Sequence, residues 1–101
     1  MTRLVVTADA DVDTGEILEY LTREAGWRVA DEYGQRFREA LERVVEMPES
    51  GAPRQALGPE THIAVVYPYV LIYDYSHEID TVTLLRVLHG RRNITRDLLK
   101  R

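Results

Sequence analysis

The chain of 101 residues has no cysteine and a single lysine, Lys100. Without cysteine there is no disulfide frame, no thiolate metal site and no cysteine nucleophile. That absence agrees with a reducing, cytoplasmic setting. Serine is nearly as scarce: Ser50 and Ser76 are the only two, and neither lies in a nucleophile-elbow sequence. No G-x-x-x-x-G-K or G-x-G-x-x-G string occurs, so hydrolase and nucleotide-binding chemistry have no motif behind them. No apolar run approaches the ~18 residues of a membrane span. Pro68 and Asp74 interrupt the richest one, and the run around Leu4, Val5 and Val6 is too short for a secretory leader. With 45% hydrophobic and 30% charged residues, a soluble single domain over residues 1–101 is expected.

What is present alternates cleanly between two periods. Residues 3–7 are apolar and β-branched, a short first strand. Asp13 with Glu16 three positions on makes a capping-box pattern, which predicts a helix starting near Thr14. Ile17, Leu18, Leu21 and Ala25 recur at helical spacing, and Gly26 stops that helix. A longer helix is predicted over 28–46, with Val29, Tyr33, Phe37, Ala40, Leu41, Val44 and Val45 on one stripe. Two amphipathic helices joined at a glycine form an antiparallel hairpin. Pro48, Gly51, Pro53, Gly58 and Pro59 mark a loop.

Strands follow over 62–67, 69–76 and 81–89, the last two joined by a turn at 77–80. Tyr69, Leu71, Tyr73 and Tyr75 share one face of the middle strand, Val70, Ile72, Asp74 and Ser76 the other. Both faces are largely apolar, so one should pack on the helices while the other stays partly open. The order β-α-α-β-β-β predicts an α+β fold, a helical hairpin packed on a mainly antiparallel sheet.

Charge is distributed unevenly. Residues 1–85 hold 7 Lys+Arg against 16 Asp+Glu, a net of −9, while residues 86–101 hold 6 against 1, a net of +5. The last strand therefore ends in a basic run: Arg86, His89, Arg91 and Arg92, then Arg96, Lys100 and Arg101. Such a cluster is either a solvated tail or a surface for an anionic partner. Arg86 lies mid-strand on the face of Val82, Leu84 and Leu88, so it is either at an open sheet surface or paired to a carboxylate such as Asp74, and pairing is the expected role. Arg91 and Arg92 follow Gly90, so at least one should be exposed.

Two other groups carry less. Asp9, Asp11 and Asp13 imitate the start of a calcium loop, but Thr14 and Tyr20 stand where glycine and glutamate are required. A polar turn and helix cap is the expected role, and no metal site is expected. His62, His77 and His89 have no ligand partner at helical spacing. Only His89 lies in the basic run.

The string Leu85-Arg86-Val87-Leu88-His89-Gly90-Arg91-Arg92, with Pro48-Glu49-Ser50-Gly51 and the strand Tyr67-Pro68-Tyr69-Val70-Leu71-Ile72-Tyr73, resembles the ParE branch of the RelE/ParE toxins. The likeness extends over essentially the whole chain. It implies the toxin of a type II toxin–antitoxin system, acting by binding, typically to DNA gyrase, without catalysis or cofactor. The toxic surface it points to is Arg86, His89, Arg91 and Arg92. It also implies a ParD-like antitoxin whose tail folds onto the toxin, with Tyr20, Trp27, Tyr33 and Phe37 as candidate anchors.

The rival reading is a RelE-like, ribosome-dependent mRNA endonuclease. That branch carries lysines before the second strand and arginines around the later ones, with a C-terminal tyrosine or histidine. Here Val70 follows Tyr69 where an arginine is expected, and beyond Arg92 no tyrosine or histidine remains; Thr95, Asp97, Leu98 and Leu99 stand there instead. Tyr73 and Tyr75 are poor bases at neutral pH. A net charge of −4 opposes direct binding of this chain alone to nucleic acid. A third expectation is an interaction module that has lost its toxicity.

Overall fold

The computed structural model describes residues 1–99; Lys100 and Arg101 of the basic tail lie outside the described residues. Strand β1 (Arg3–Val6) leads into helix α1 (Ala8–Ala25) and helix α2 (Trp27–Glu46). A two-residue strand β2 (Ala52–Pro53) precedes β3 (Thr61–Val66), β4 (Tyr69–Ser76) and β5 (Thr81–His89). A 3-10 turn, Arg96–Leu99, follows. The sheet order is β1-β5-β4-β3-β2, with β1 parallel to β5 and all other neighbours antiparallel. This is the predicted α+β architecture, enlarged by β2 and the 3-10 turn. No helix among the described residues is long and apolar enough to cross a membrane.

The first helix begins earlier than the capping-box pattern predicts. Thr7 is the N-cap, its hydroxyl accepting from the Ala10 amide at 3.1 Å. Asp9 and Asp11 occupy the first turn, where carboxylates meet the positive end of the helix dipole. The supposed polar turn is thus helical, and Asp13 is released for another task. Gly26 (φ 95°) joins the two helices in a conformation that disfavours side chains.

The main core lies between hairpin and sheet. Phe37, Ala40 and Val44 of α2 meet Tyr69, Leu71 and Tyr73 of β4 and Val82, Leu84 and Val87 of β5. The opposite face of the sheet is partly open, with Val70, Asp74 and Ser76 half-buried, but it also carries a second apolar cluster. Ile72, Leu85 and Leu88 are buried there beneath Leu57 and the C-terminal Ile94, Leu98 and Leu99. The two clusters divide β5 irregularly because the pairing with β4 slips: Ile72 faces Arg86 but Tyr73 faces Leu84, leaving Leu85 as the extra residue of a bulge. Leu88 therefore parts company with Val82 and Leu84, correcting the strict alternation expected of this strand.

Candidate functional site

The basic end of β5 is built on that bulge. Strand β1 pairs with β5 only as far as Val6–Leu84, so the remainder of β5 needs other partners. The N-cap Thr7 and the first half of α1 supply them. The Thr7 amide donates to the Leu84 carbonyl at 3.1 Å, and the Thr7 hydroxyl donates to the Leu85 carbonyl at 3.0 Å. The Val87 amide donates to Asp13 Oδ2 at 3.0 Å.

The same carboxylate takes the Arg86 fork, Nε to Oδ2 at 2.7 Å and Nη2 to Oδ1 at 2.9 Å. The third nitrogen, Nη1, donates to the Leu98 carbonyl at 2.8 Å. The side chains are 17% (Arg86) and 11% (Asp13) exposed. The hydrogen bonds to Asp13 hold the guanidinium even more firmly protonated than usual, against the opposing effect of burial.

Arg86 is therefore paired, as a mid-strand arginine must be, but with Asp13 rather than Asp74. Asp74 instead accepts from the Thr61 hydroxyl at 2.6 Å. Arg86 is removed from the exposed toxic surface assigned to it, because its donors are committed inside the molecule.

His89, Arg91 and Arg92 are exposed, as is Arg96 further on. Gly90 lets the chain turn tightly: its amide donates to the Pro68 carbonyl at 2.8 Å, and a Cβ there would lie 3.1 Å from that oxygen. The Arg91 amide donates to His89 Nδ1 at 3.1 Å, which leaves Nε2 to carry the ring proton of neutral His89. The Tyr69 ring meets His89 edge-on at 5.7 Å. Beside them is a cleft of about 540 Å³ whose lining includes Tyr67, Tyr69, His89 and Arg91. Tyr67, in the β3–β4 turn, is 76% exposed and was not singled out from sequence. Its position before Pro68, between two strands, was the available signal.

The four candidate antitoxin anchors divide. Trp27 is 67% exposed, with the Arg28 guanidinium 5.4 Å from its ring centre. Tyr20 is also exposed, and Tyr33 is half-buried, its hydroxyl donating to the Tyr67 carbonyl at 3.3 Å. Phe37 is 4% exposed and packs edge-on against Tyr69, so it belongs to the core and is withdrawn as a surface anchor. Burial pushes the Tyr69 hydroxyl above its ordinary pKa, and nearby Tyr33 and Tyr20 push it the same way. Burial also raises Tyr73, and the hydrogen bond to Asp80 raises Tyr75. None of these three is poised to act as a base near neutrality. Among the described residues, no group of three or more His, Cys, Asp or Glu side chains could hold a metal ion.

The sequence model of the ParE toxin family, of type II toxin–antitoxin system parDE, matches residues 4–94. No curated protein matches the chain. Among solved structures, the chain is similar to one from the chromosomal ParDE system of P. aeruginosa, with TM-score 0.72 and 19% identity over 88% of this chain and 96% of that one. It is similar to a chain of the RelBE2 toxin–antitoxin complex of Mycobacterium tuberculosis, with TM-score 0.63 and 22% identity over 87% and 96%. It is also similar to the isolated E. coli RelE toxin, with TM-score 0.59 and 20% identity over 92% and 88%. At these identities the structural likeness speaks for the fold alone.

Proposed function

The chain belongs to the ParE family, toxins of type II toxin–antitoxin systems, and from that membership we propose that it binds and inhibits DNA gyrase without catalysing a reaction. The contact surface is the exposed end of β5, His89, Arg91 and Arg92, with Tyr67 beside it. A ParD-like antitoxin neutralises the toxin, docking on Trp27, Tyr20 and the accessible part of Tyr33. The observation that carries this reading is the division of labour among the arginines. Arg86 is sequestered by Asp13, while Arg91 and Arg92 stand exposed at the end of the sheet. A ribonuclease using Arg86 would have to break a bidentate ion pair and strand Asp13 in a largely buried site.

Pulse-labelling of DNA and protein synthesis within minutes of inducing the chain in a bacterium tests this, with purified gyrase assayed for supercoiling alongside. DNA synthesis should fail first, and substitution of Arg91 and Arg92 by serine should abolish the effect. Early failure of protein synthesis would instead restore the endonuclease reading.

A further inference from the structure

The segment carrying the exposed arginines must hold one shape if it is to present them to a partner. It is anchored apolarly by Ile94, Leu98 and Leu99 on Ile72, Leu85 and Leu88. Apolar contact is non-directional and leaves such a short segment free to slide. Direction comes from Arg86, whose Nη1 reaches the Leu98 carbonyl at 2.8 Å. Arg86 can point there only because its other two donors are taken in bidentate fashion by Asp13, which fixes the plane of the guanidinium. Asp13 is itself fixed, by the Val87 amide and by its place in α1. The carboxylate also balances the charge of Arg86 within the sheet, whereas Arg91, Arg92 and Arg96 stand exposed on the segment.

We infer that Asp13 is a positioning residue for the target-binding surface: through Arg86 it sets the C-terminal segment that displays Arg91, Arg92 and Arg96. The inference deepens the gyrase-binding reading and rests on it for the identity of the surface.

The test uses the full chain with Asp13→Asn, Arg86→Lys and Asp13→Glu. Hydrogen exchange is followed at residues 94–99 and in β3 and β4, and growth inhibition is measured against inducer dose. Asp13→Asn and Arg86→Lys each remove the fork but keep a polar side chain. Exchange at 94–99 should rise by about tenfold or more, the scale of one charge-assisted hydrogen bond. Protection in β3 and β4 should hold, and the dose needed for growth arrest should rise by a similar factor. Asp13→Glu can still present two oxygens and should restore both readouts.

Unchanged exchange at 94–99 would overturn the inference, as would raised exchange with undiminished toxicity. An equal rise across segment and sheet would mark the pair as a general stabiliser and overturn it too. If the wild-type chain spares DNA synthesis yet these variants lose toxicity with segment-selective exchange, the gyrase reading falls while the positioning role stands.

Discussion

The hydroxyl of Tyr73 donates to the carbonyl of Pro48 at 2.8 Å, joining a buried core position on β4 to the loop that leaves α2. The same oxygen accepts from the Gly51 amide at 3.0 Å. One atom thus satisfies a donor and an acceptor of a loop rich in proline and glycine. Tyr73→Phe keeps the ring but leaves both groups unpaired, and should cost about 1–3 kcal/mol by chemical denaturation. A loss below the error of the measurement would show the loop re-solvating freely.

Gly51 is sterically constrained for a related reason. A Cβ there would stand 2.5 Å from the Ile63 carbonyl oxygen and from the Tyr73 hydroxyl. Gly51→Ala should destabilise by roughly 1–3 kcal/mol. Gly15, within α1, has nothing within 4 Å of such a Cβ, so Gly15→Ala should stabilise by about 0.5–1 kcal/mol. Thermal unfolding of the two variants should move in opposite directions.

Asp80 contributes to the acid limb of a stability profile. It accepts from Thr2 Oγ1 at 2.8 Å and from the Tyr75 hydroxyl at 2.9 Å, and these bonds hold its carboxyl below the ordinary aspartate range. A lowered carboxylate pKa contributes stability that is complete above the unfolded value, ~3.9, and is lost as pH falls through the folded one. Tyr75 works in the opposite sense. Its raised pKa gives stability present below ~10 and lost as pH climbs through the higher folded value. Unfolding midpoints measured from pH 2 to 7 should therefore fall less steeply below pH ~4 in Asp80→Asn than in the wild type. Parallel slopes would dismiss Asp80 as the cause.

Trp27 is the only tryptophan, so its fluorescence reports one place. Being 67% exposed in the free chain, it should emit as a solvated indole and shift to the blue when an antitoxin covers it. Trp27→Ala should weaken the complex by about 2 kcal/mol if Trp27 is a hot spot. Antitoxin binding without a spectral change would place the interface elsewhere.

The elements were legible because their periods are strong. The stripe from Val29 to Val45 marked α2 to within a residue, and the alternation of Tyr69, Leu71 and Tyr73 assigned both faces of β4 correctly. Errors gathered where one residue could serve two local patterns. Asp13 fits a helix cap by spacing, but Thr7 had already capped the helix and nothing local reveals a partner 73 positions away. The bulge at Leu85 inserts no unusual residue, so the switch of face after Leu84 has no sequence signature. The partner of Arg86 was hidden for the same reason: Asp13 lies 73 positions away on another element, and no local pattern links the two. That at least one of Arg91 and Arg92 is exposed followed from Gly90, a local cause; both are.

The parallel pairing of β1 with β5 has a consequence for synthesis. During translation the first strand is made long before its partner, residues 81–84, with both helices and two further long strands in between. Helices can form as they leave the ribosome, whereas this long-range closure must wait. The carboxylate that completes the basic end lies in the early part of the chain, and the arginine it holds in the late part. A nascent chain therefore cannot assemble this end of the sheet until β5 has been made.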